Sequence, residues 1–582
     1  MTRHRLLVGL LLSLLAVLVW YSVHLAQSRI YQVDECQNVY MARVLATGQE
    51  SEFFTYRSLF LMGPLSWMAR NATQSAALYA SARLLFLVIF WVNLVLLATI
   101  ASGKLISTRG LIALTAAASL APLLDYGFEI RHDNLVLTSL LFIWWVVRVK
   151  PMGVFSYVLA GGATLAALLL AVKSIVYVLP LALAFLAFPP PAHKRPRWQL
   201  AFAGICGALL AAVLIRAASG SWDAWEAYLT VIGMFGRRAV AAGVGDASRF
   251  WPWETLGRLL TQTPLLLALT IAACYAVVAD LVRRRKAAFG WEGHLPETLL
   301  LAVALAALMV NPTPFPYNLL HVVPYAFLLA FRYADALWRE FQVRSQFWPF
   351  IAGVLLFVHA APFALASKRH LELPNARQQS LMRLAEDLTD AKKDLVYDAI
   401  GMVPTRRSIH YQWYLHSLNI SRVVKNPGQR VREMLAARPA AVFIPSYRTS
   451  WLPGEDHDFI KQRYVPLADD FWVLGKVLPT GGGEFEIFHP GRYRIARLKP
   501  LDDAFAYTQS TEETRPLEIS GAIAGTLDRT TLSNQPIELS AGVHRVECAQ
   551  DSQPAIVWVG PHLDEVPRPG PGSHRTLFWN WY

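Results

Sequence analysis

The chain has 582 residues, 54% hydrophobic and only 16% charged, against a usual charged share of about 25%. So apolar a chain cannot hide its surface in soluble domains, and 34 Gly with 34 Pro are too few for collagen or low-complexity disorder. The net charge of +13 sits in short basic clusters between apolar runs, the distribution of a polytopic membrane protein rather than of a nucleic-acid binder.

The first apolar run, Leu6 to Ala26, follows Arg3, His4 and Arg5. It is longer than the core of a secretory signal and lacks a small-x-small cleavage site, so it reads as a retained helix with a cytoplasmic basic end. Further runs cover 79–101, 110–124, 135–148, 199–217, 264–282, 295–311, 319–334 and 348–366. Phe155 to Phe188 would make a helix about 50 Å long, too long for a ~30 Å hydrocarbon core. Arg148 and Lys150 before it, and Lys194, Arg195 and Arg197 after it, belong on one side of the membrane, so two short helices turn near Lys173. The remaining basic clusters agree, giving about eleven crossings with the N-terminus inside and the C-terminus outside. Loops 27–78, 125–134 and 218–263 then face outward, and no span carries a row of carboxylates as an ion-coupled pump would.

From Ser367 the composition turns soluble, with a predicted helix from Leu381 to Leu395 and a strand-like run, VFIPSY, from Val442. Alternating segments such as IELSAGVHRVE and AIVWVG predict a small β-rich module. The expected fold is a polytopic α-helical membrane domain (1–366), a mixed α/β domain (367–500) and a β-rich module (501–582). Of four cysteines, Cys206 and Cys274 lie in apolar runs. Cys36 and Cys548 are placed in the outer compartment, where a disulfide can form, although sequence alone does not bring them together. The chain carries no glycine-rich phosphate loop and no metal-binding Cys/His spacing.

The first outer loop reads YQVDECQNVYMARVLATGQ. Asp34 with Gln37 resembles a helix N-cap pair and Gly48 a helix stop, which suits a helix lying along the membrane; Asp34 can also serve as a base. The second loop, DYGFEIRHDN, crowds Asp125, Glu129, Arg131, His132 and Asp133 between two apolar helices. There Asp133 or Asn134 caps the following helix, or Arg131 and Asp133 contact a ligand. Lys173 either snorkels to headgroups or meets an anion. Arg237 and Arg238 in the third loop divide between the same two roles.

The order Asp34-Glu35, interfacial helix, then Gly63-Pro64-Leu65-Ser66-Trp67 resembles GT-C-type membrane glycosyltransferases that use polyprenyl-phosphate sugars. Dolichyl-phosphate-mannose protein mannosyltransferases and the lipid A aminoarabinose transferase are of this kind. The resemblance covers about 1–366 and implies Asp34 as the base, with Lys173, Arg131 and His321 on the donor phosphate. It sets Glu35, Asp133, Arg57, Tyr317 and Asn318 around them as substrate-orienting groups, with Tyr56 beside Arg57. It implies an inverting enzyme of the bacterial inner membrane that moves a hexosyl or pentosyl group at the periplasmic face. The partners are a polyprenyl-phosphate-linked sugar, a glycan, lipid or protein acceptor, and membrane lipids, with no nucleic acid. No cofactor is required, while Asp34 and Asp133 leave room for a divalent cation. Tail aromatics Trp413, Tyr414, Trp451, Trp472, Trp558, Trp579 and Trp581 read as sugar-stacking, core or membrane-surface residues. A lipid or polysaccharide transporter and a glycan-binding envelope scaffold are the alternatives; the first does not account for an Asp-Glu pair outside the bilayer core, and eleven helices are excessive for the second.

Overall fold

The computed structural model describes residues 2–48, 63–171, 174–187, 195–219, 252–283, 295–310, 315–341, 348–409, 414–415, 430–498, 519–573 and 576–578. The chain divides into two compact units, one of 1–28, 56–63 and 82–372, the other of 29–55, 64–81 and 373–582.

The first unit is helical, and helices also enter the second unit from 29–55 and 64–81. In chain order the helices of the two units begin α1 (Thr2–Ser28), α2 (Val33–Ala46), α3 (Gly63–Ala69), α4 (Ser75–Ser102) and α5 (Thr108–Ala118). They continue with α6 (Ala121–Tyr126), α7 (His132–Trp144), α8 (Val154–Leu170), α9 (Ile175–Ala187) and α10 (Arg197–Ser219). Among the described residues four helices are long and apolar enough to cross a membrane: Arg5–Ser28, Ser75–Ser102, Arg197–Ala217 and Pro264–Val282. Shorter apolar helices occupy Val154–Leu170, Ile175–Ala187 and Pro296–Met309. The long apolar stretch is thus broken between Leu170 and Ile175, where the Ser174 hydroxyl reaches the carbonyls of Ala167 (2.7 Å) and Ala171 (2.6 Å) at the end of α8. Glycines draw α8 and α10 together: a Cβ on Gly161 would lie 1.9 Å from the Gly204 carbonyl, and one on Gly207 as close to that of Val158. At the far end of α7 a π-helical turn, Trp145–Val149, carries Arg148 2.8 Å from the buried Glu297, which Arg332 also contacts.

The second unit holds strands β1 (Val396–Tyr397), β2 (Val442–Phe443), β3 (Tyr464–Ala468), β4 (Phe471–Val477), β5 (Gly482–Ile487) and β6 (Gly491–Leu498). The remaining strands are β7 (Ile519–Ala522), β8 (Gly525–Leu527), β9 (Thr530–Thr531), β10 (Ile537–Leu539), β11 (Gly542–Cys548) and β12 (Pro554–Trp558). One sheet runs β1-β2-β4-β12-β6-β10, with β3 on β4 and β7 on β6; a second runs β5-β11-β8-β9. The β1–β2 pair is parallel, Val396 opposite Val442. The fully buried β12 lies between β4 and β6, so strands from both sides of residue 500 share a sheet.

The first loop contributes to this second unit. Arg29 bridges Pro374, and the Gln378 amide both accepts from Tyr31 N (2.7 Å) and donates to the carbonyls of Tyr31 (3.0 Å) and Leu577 (2.9 Å). The tail helix predicted over 381–395 instead spans Ala376–Leu388. It stops where Asp390 and Asp394 capture backbone N–H groups of Lys392 and Asp390, offering the chain a turn in place of further helix. Cys36 and Cys548 are not joined by a disulfide.

Candidate active site

The residues singled out in the sequence form two groups, one in each unit. In the second unit, α2 begins at Val33 but its cap differs from the Asp34–Gln37 pair expected. Gln32 is the N-cap, and Glu35, three residues on, accepts from Gln32 N at 2.8 Å in a capping box. Glu35 is wholly buried in that task, whereas Asp34 keeps partial exposure and accepts from the Tyr414 hydroxyl at 3.2 Å. The helix closes as expected, with Gly48 at φ +72° just beyond it.

Tyr414 is held by a relay of main-chain bonds that starts after β1. Asp398 is buried and accepts from the N–H groups of Ile400 (2.9 Å), Gly401 (2.6 Å) and Met402 (2.6 Å). Burial pushes this carboxyl above its ordinary range, and those donors pull it part of the way back. The tight loop forces Ala399 to φ +60°, a conformation that side chains resist. The Ala399 carbonyl then accepts from Leu415 N at 3.0 Å, fixing the residue next to Tyr414.

A second loop follows β2 and brings Tyr447, Arg448 and Trp451. Arg448 donates to the Leu415 carbonyl at 2.8 Å and to the Tyr447 hydroxyl at 3.0 Å. Its guanidinium carbon lies 4.7 Å from the Trp451 ring centre, 5.3 Å from that of Tyr447 and 5.7 Å from that of Tyr414. Burial works against this charge, yet Tyr414, Tyr447 and Asp34 outweigh it and hold the guanidinium above its usual pKa. Burial, and then the Asp34 carboxylate, push the Tyr414 phenol well above its ordinary value, so its proton stays available to Asp34. Ligand groups gathered beyond the carboxyl ends of parallel strands are a recurring feature of α/β sheets. Arg448 and Tyr447 escaped the sequence reading because a lone Arg after a short strand has no signature until β1 and β2 are paired.

In the first unit, the second outer loop is buried rather than solvated. The Asn134 amide donates to the carbonyls of Tyr126 (3.0 Å) and Glu129 (2.8 Å), and the Asn93 amide to that of Asn134 (3.2 Å), replacing water for this backbone. Neither Asp133 nor Asn134 caps α7; Arg131 is the N-cap. Asp133, fully buried, meets Arg131 at 3.3 Å, His321 at 3.5 Å and His132 at 3.7 Å. The Arg131 guanidinium stacks 3.7 Å from the Tyr317 ring centre, and Tyr177 packs on His321 with centroids 4.7 Å apart. Asn318 is buried and donates to the Phe315 carbonyl at 2.9 Å, a turn contact. Arg131, Asp133, His321 and Tyr317 therefore lie in one cluster. Lys173, Tyr56, Arg57, Arg237 and Arg238 lie outside the described residues. The sequence reading did not pair Asp125, whose carboxylate meets His370 at 2.5 Å and the Gln262 amide at 3.2 Å.

Among the described residues no three His, Cys, Asp or Glu side chains gather as a metal site. The donor set around Asp133 does not suit a cation either, since its oxygens already face Arg131, His132 and His321.

No family model matches the chain, and neither does any curated protein. The solved structures it is similar to include the Archaeoglobus fulgidus oligosaccharyltransferase tethered to an acceptor peptide with an NVT sequon. That match has 11% identity and a TM-score of 0.49 over 88% of this chain and 76% of the other. The same enzyme, AglB, with an inhibitory peptide and a dolichol-phosphate matches at 11% identity and 0.47, over 89% and 79%. Its complex with zinc and sulfate matches at 12% identity and 0.45, over 78% and 72%. At these TM-scores the likeness concerns the course of the chain and says nothing of its chemistry.

Proposed function

We propose that the protein is an inverting, multi-pass membrane glycosyltransferase that moves a sugar from a polyprenyl-phosphate donor to an acceptor at the outer, periplasmic face of a bacterial inner membrane. Asp34 is the base, and Arg131 and His321, with Lys173, hold the donor phosphate. The acceptor hydroxyl or amine attacks the anomeric carbon and gives its proton to Asp34. The bond from that carbon to the phosphate oxygen breaks, and the polyprenyl phosphate leaves with the electron pair. Cationic groups stabilise the charge growing on that oxygen. Asp133 orients Arg131 and His321. A lipid phosphate is already a good leaving group, so no metal step is needed.

The observation that carries this reading is the division of labour within the Asp34–Glu35 pair. Glu35 is spent on the helix cap, while Asp34 keeps partial exposure and a phenol donor, as a general base in water-accessible reach requires. The test is transfer by the full-length protein in lipid nanodiscs supplied with polyprenyl-phosphate sugars and candidate acceptors. Asp34→Asn is expected to stop transfer while donor binding persists; full transfer by that variant would remove Asp34 from the mechanism.

A further inference from the structure

The loop after β2 carries a guanidinium whose near neighbours are aromatic rings and hydroxyls, with Asp34 acting on it only from beyond ion-pair distance. Arg448 is mostly enclosed, walled by three aromatic rings, and forms no ion pair with a described residue. A guanidinium removed from water normally acquires an anionic partner, because its desolvation is otherwise uncompensated. Beside it, Trp451 keeps 39% of its surface exposed although Arg448 covers part of its ring. An exposed indole next to a cation suits a sugar ring bearing an acid: the C–H face stacks on the aromatic and the anion meets the guanidinium. Tyr414 links this place to Asp34, since it donates to Asp34 and packs beside Arg448.

We propose that Tyr447, Arg448 and Trp451 form the acceptor subsite and that it selects an anionic saccharide, one carrying a carboxylate or a phosphate. The sugar ring rests on Trp451, its anion pairs with Arg448, and the attacking hydroxyl lies toward Asp34. This deepens the glycosyltransferase reading and rests on it for the role of Asp34, but acceptor binding is measurable without transfer.

The test uses full-length protein in nanodiscs and three probes of equal length: an oligogalacturonate, a phosphorylated oligomannose and a neutral oligoglucose. Wild type is expected to bind at least one acidic probe about tenfold or more tighter than the neutral one, the worth of a charge-assisted hydrogen bond. Added salt should weaken that preference. Whichever acidic probe binds tighter names the anion. Arg448→Gln should abolish the preference, and Trp451→Ala, a change at an exposed position, should weaken all three probes. Equal binding of acidic and neutral probes by wild type, or an intact preference in a folded Arg448→Gln, overturns the proposal. Should Arg448→Gln fail to fold, salt-insensitive binding by wild type or undiminished binding by Trp451→Ala overturns it instead. Asp34→Asn should keep the preference for the acidic probe, since the change removes a carboxylate and leaves Arg448 and Trp451 in place. Transfer surviving in that variant would sink the catalytic reading and leave the anion preference standing, so the two failures are distinguishable.

Discussion

The phenol of Tyr414 donates to Oδ1 of Asp34 at 3.2 Å across 380 positions of sequence. The contact fixes one oxygen of the proposed base. Tyr414→Phe keeps the ring and removes only the donor, so the fold should persist. A lost hydrogen bond to a charged group costs about 1.5–3 kcal/mol, which places the expected fall in kcat at about ten- to a hundredfold. Donor KM should stay unchanged. Steady-state kinetics with donor and acceptor varied separately would check the split, and a change confined to donor KM would contradict it.

Asp133 is surrounded by Arg131, His132 and His321. Asp133→Asn leaves the buried Arg131 without its charge partner, a loss of roughly 3–5 kcal/mol when such a pair is broken. A lower melting temperature is expected, together with weaker binding of polyprenyl phosphate because Arg131 is no longer held. Thermal unfolding and a lipid-binding titration on the same preparation would measure both effects.

Asp398 answers three backbone donors with one carboxylate. Asp398→Ala orphans them inside the fold, an expected loss of about 3 kcal/mol or more. Asp398→Asn, which retains one acceptor oxygen, should lose less. Because the Ala399 carbonyl positions Leu415, both variants should also lower the transfer rate, in the same order as their melting temperatures.

His544 sits between two acceptors, the Asp528 carboxylate at 2.7 Å from Nδ1 and the Ser540 carbonyl at 2.9 Å from Nε2. Both ring nitrogens must donate, so the imidazole is charged. Burial is the largest single influence and opposes that charge, but Asp528 and the Ser540 carbonyl together outweigh it and raise the histidine above its ordinary 6.5. Asp528, though burial pushes it up, is lowered below 3.8 by the bonds from His544 and Arg545 N. The histidine contribution is complete below pH 6.5 and is lost as pH rises through the raised folded value. The aspartate contribution is present above pH 3.8 and is lost as pH falls through the lowered one. The β8–β9 turn is therefore held best from about pH 4 to 6.5. Hydrogen exchange at Arg545 N, corrected for its intrinsic rate, should be slower at pH 5 than at pH 8, and His544→Gln should erase that difference.

Local features were legible in the sequence because they are written within a few residues. The first helix, the helix from Val33 toward Gly48, and the strands in IELSAGVHRVE and AIVWVG follow from apolar runs, periodicity and stop signals, and the break between Leu170 and Ile175 from helix length and the flanking basic clusters. The cap of α2 was misassigned because Asp34-x-x-Gln37 and Gln32-x-x-Glu35 overlap in one stretch, and only the backbone shows which pair closes. Loop 125–134, for which the sequence left a capping and a ligand-contact reading open, is buried because Asn93 and Asn134 stand in for water. Placing β12 between β4 and β6, or Tyr414 on Asp34, requires pairings across tens to hundreds of residues that leave no local trace.

The clasp between Tyr31 and Gln378 also sets a clock. Ribosomes add about 5–20 residues per second, so α2 emerges on the order of tens of seconds before the helix that grips it. Gln378 also holds the Leu577 carbonyl. Tyr414, which donates to Asp34, follows it by 380 positions. A nascent chain that stops before Tyr414 carries the proposed base without its setting. The same delay makes 29–81 the stretch where surveillance proteases should first cut an abortive product.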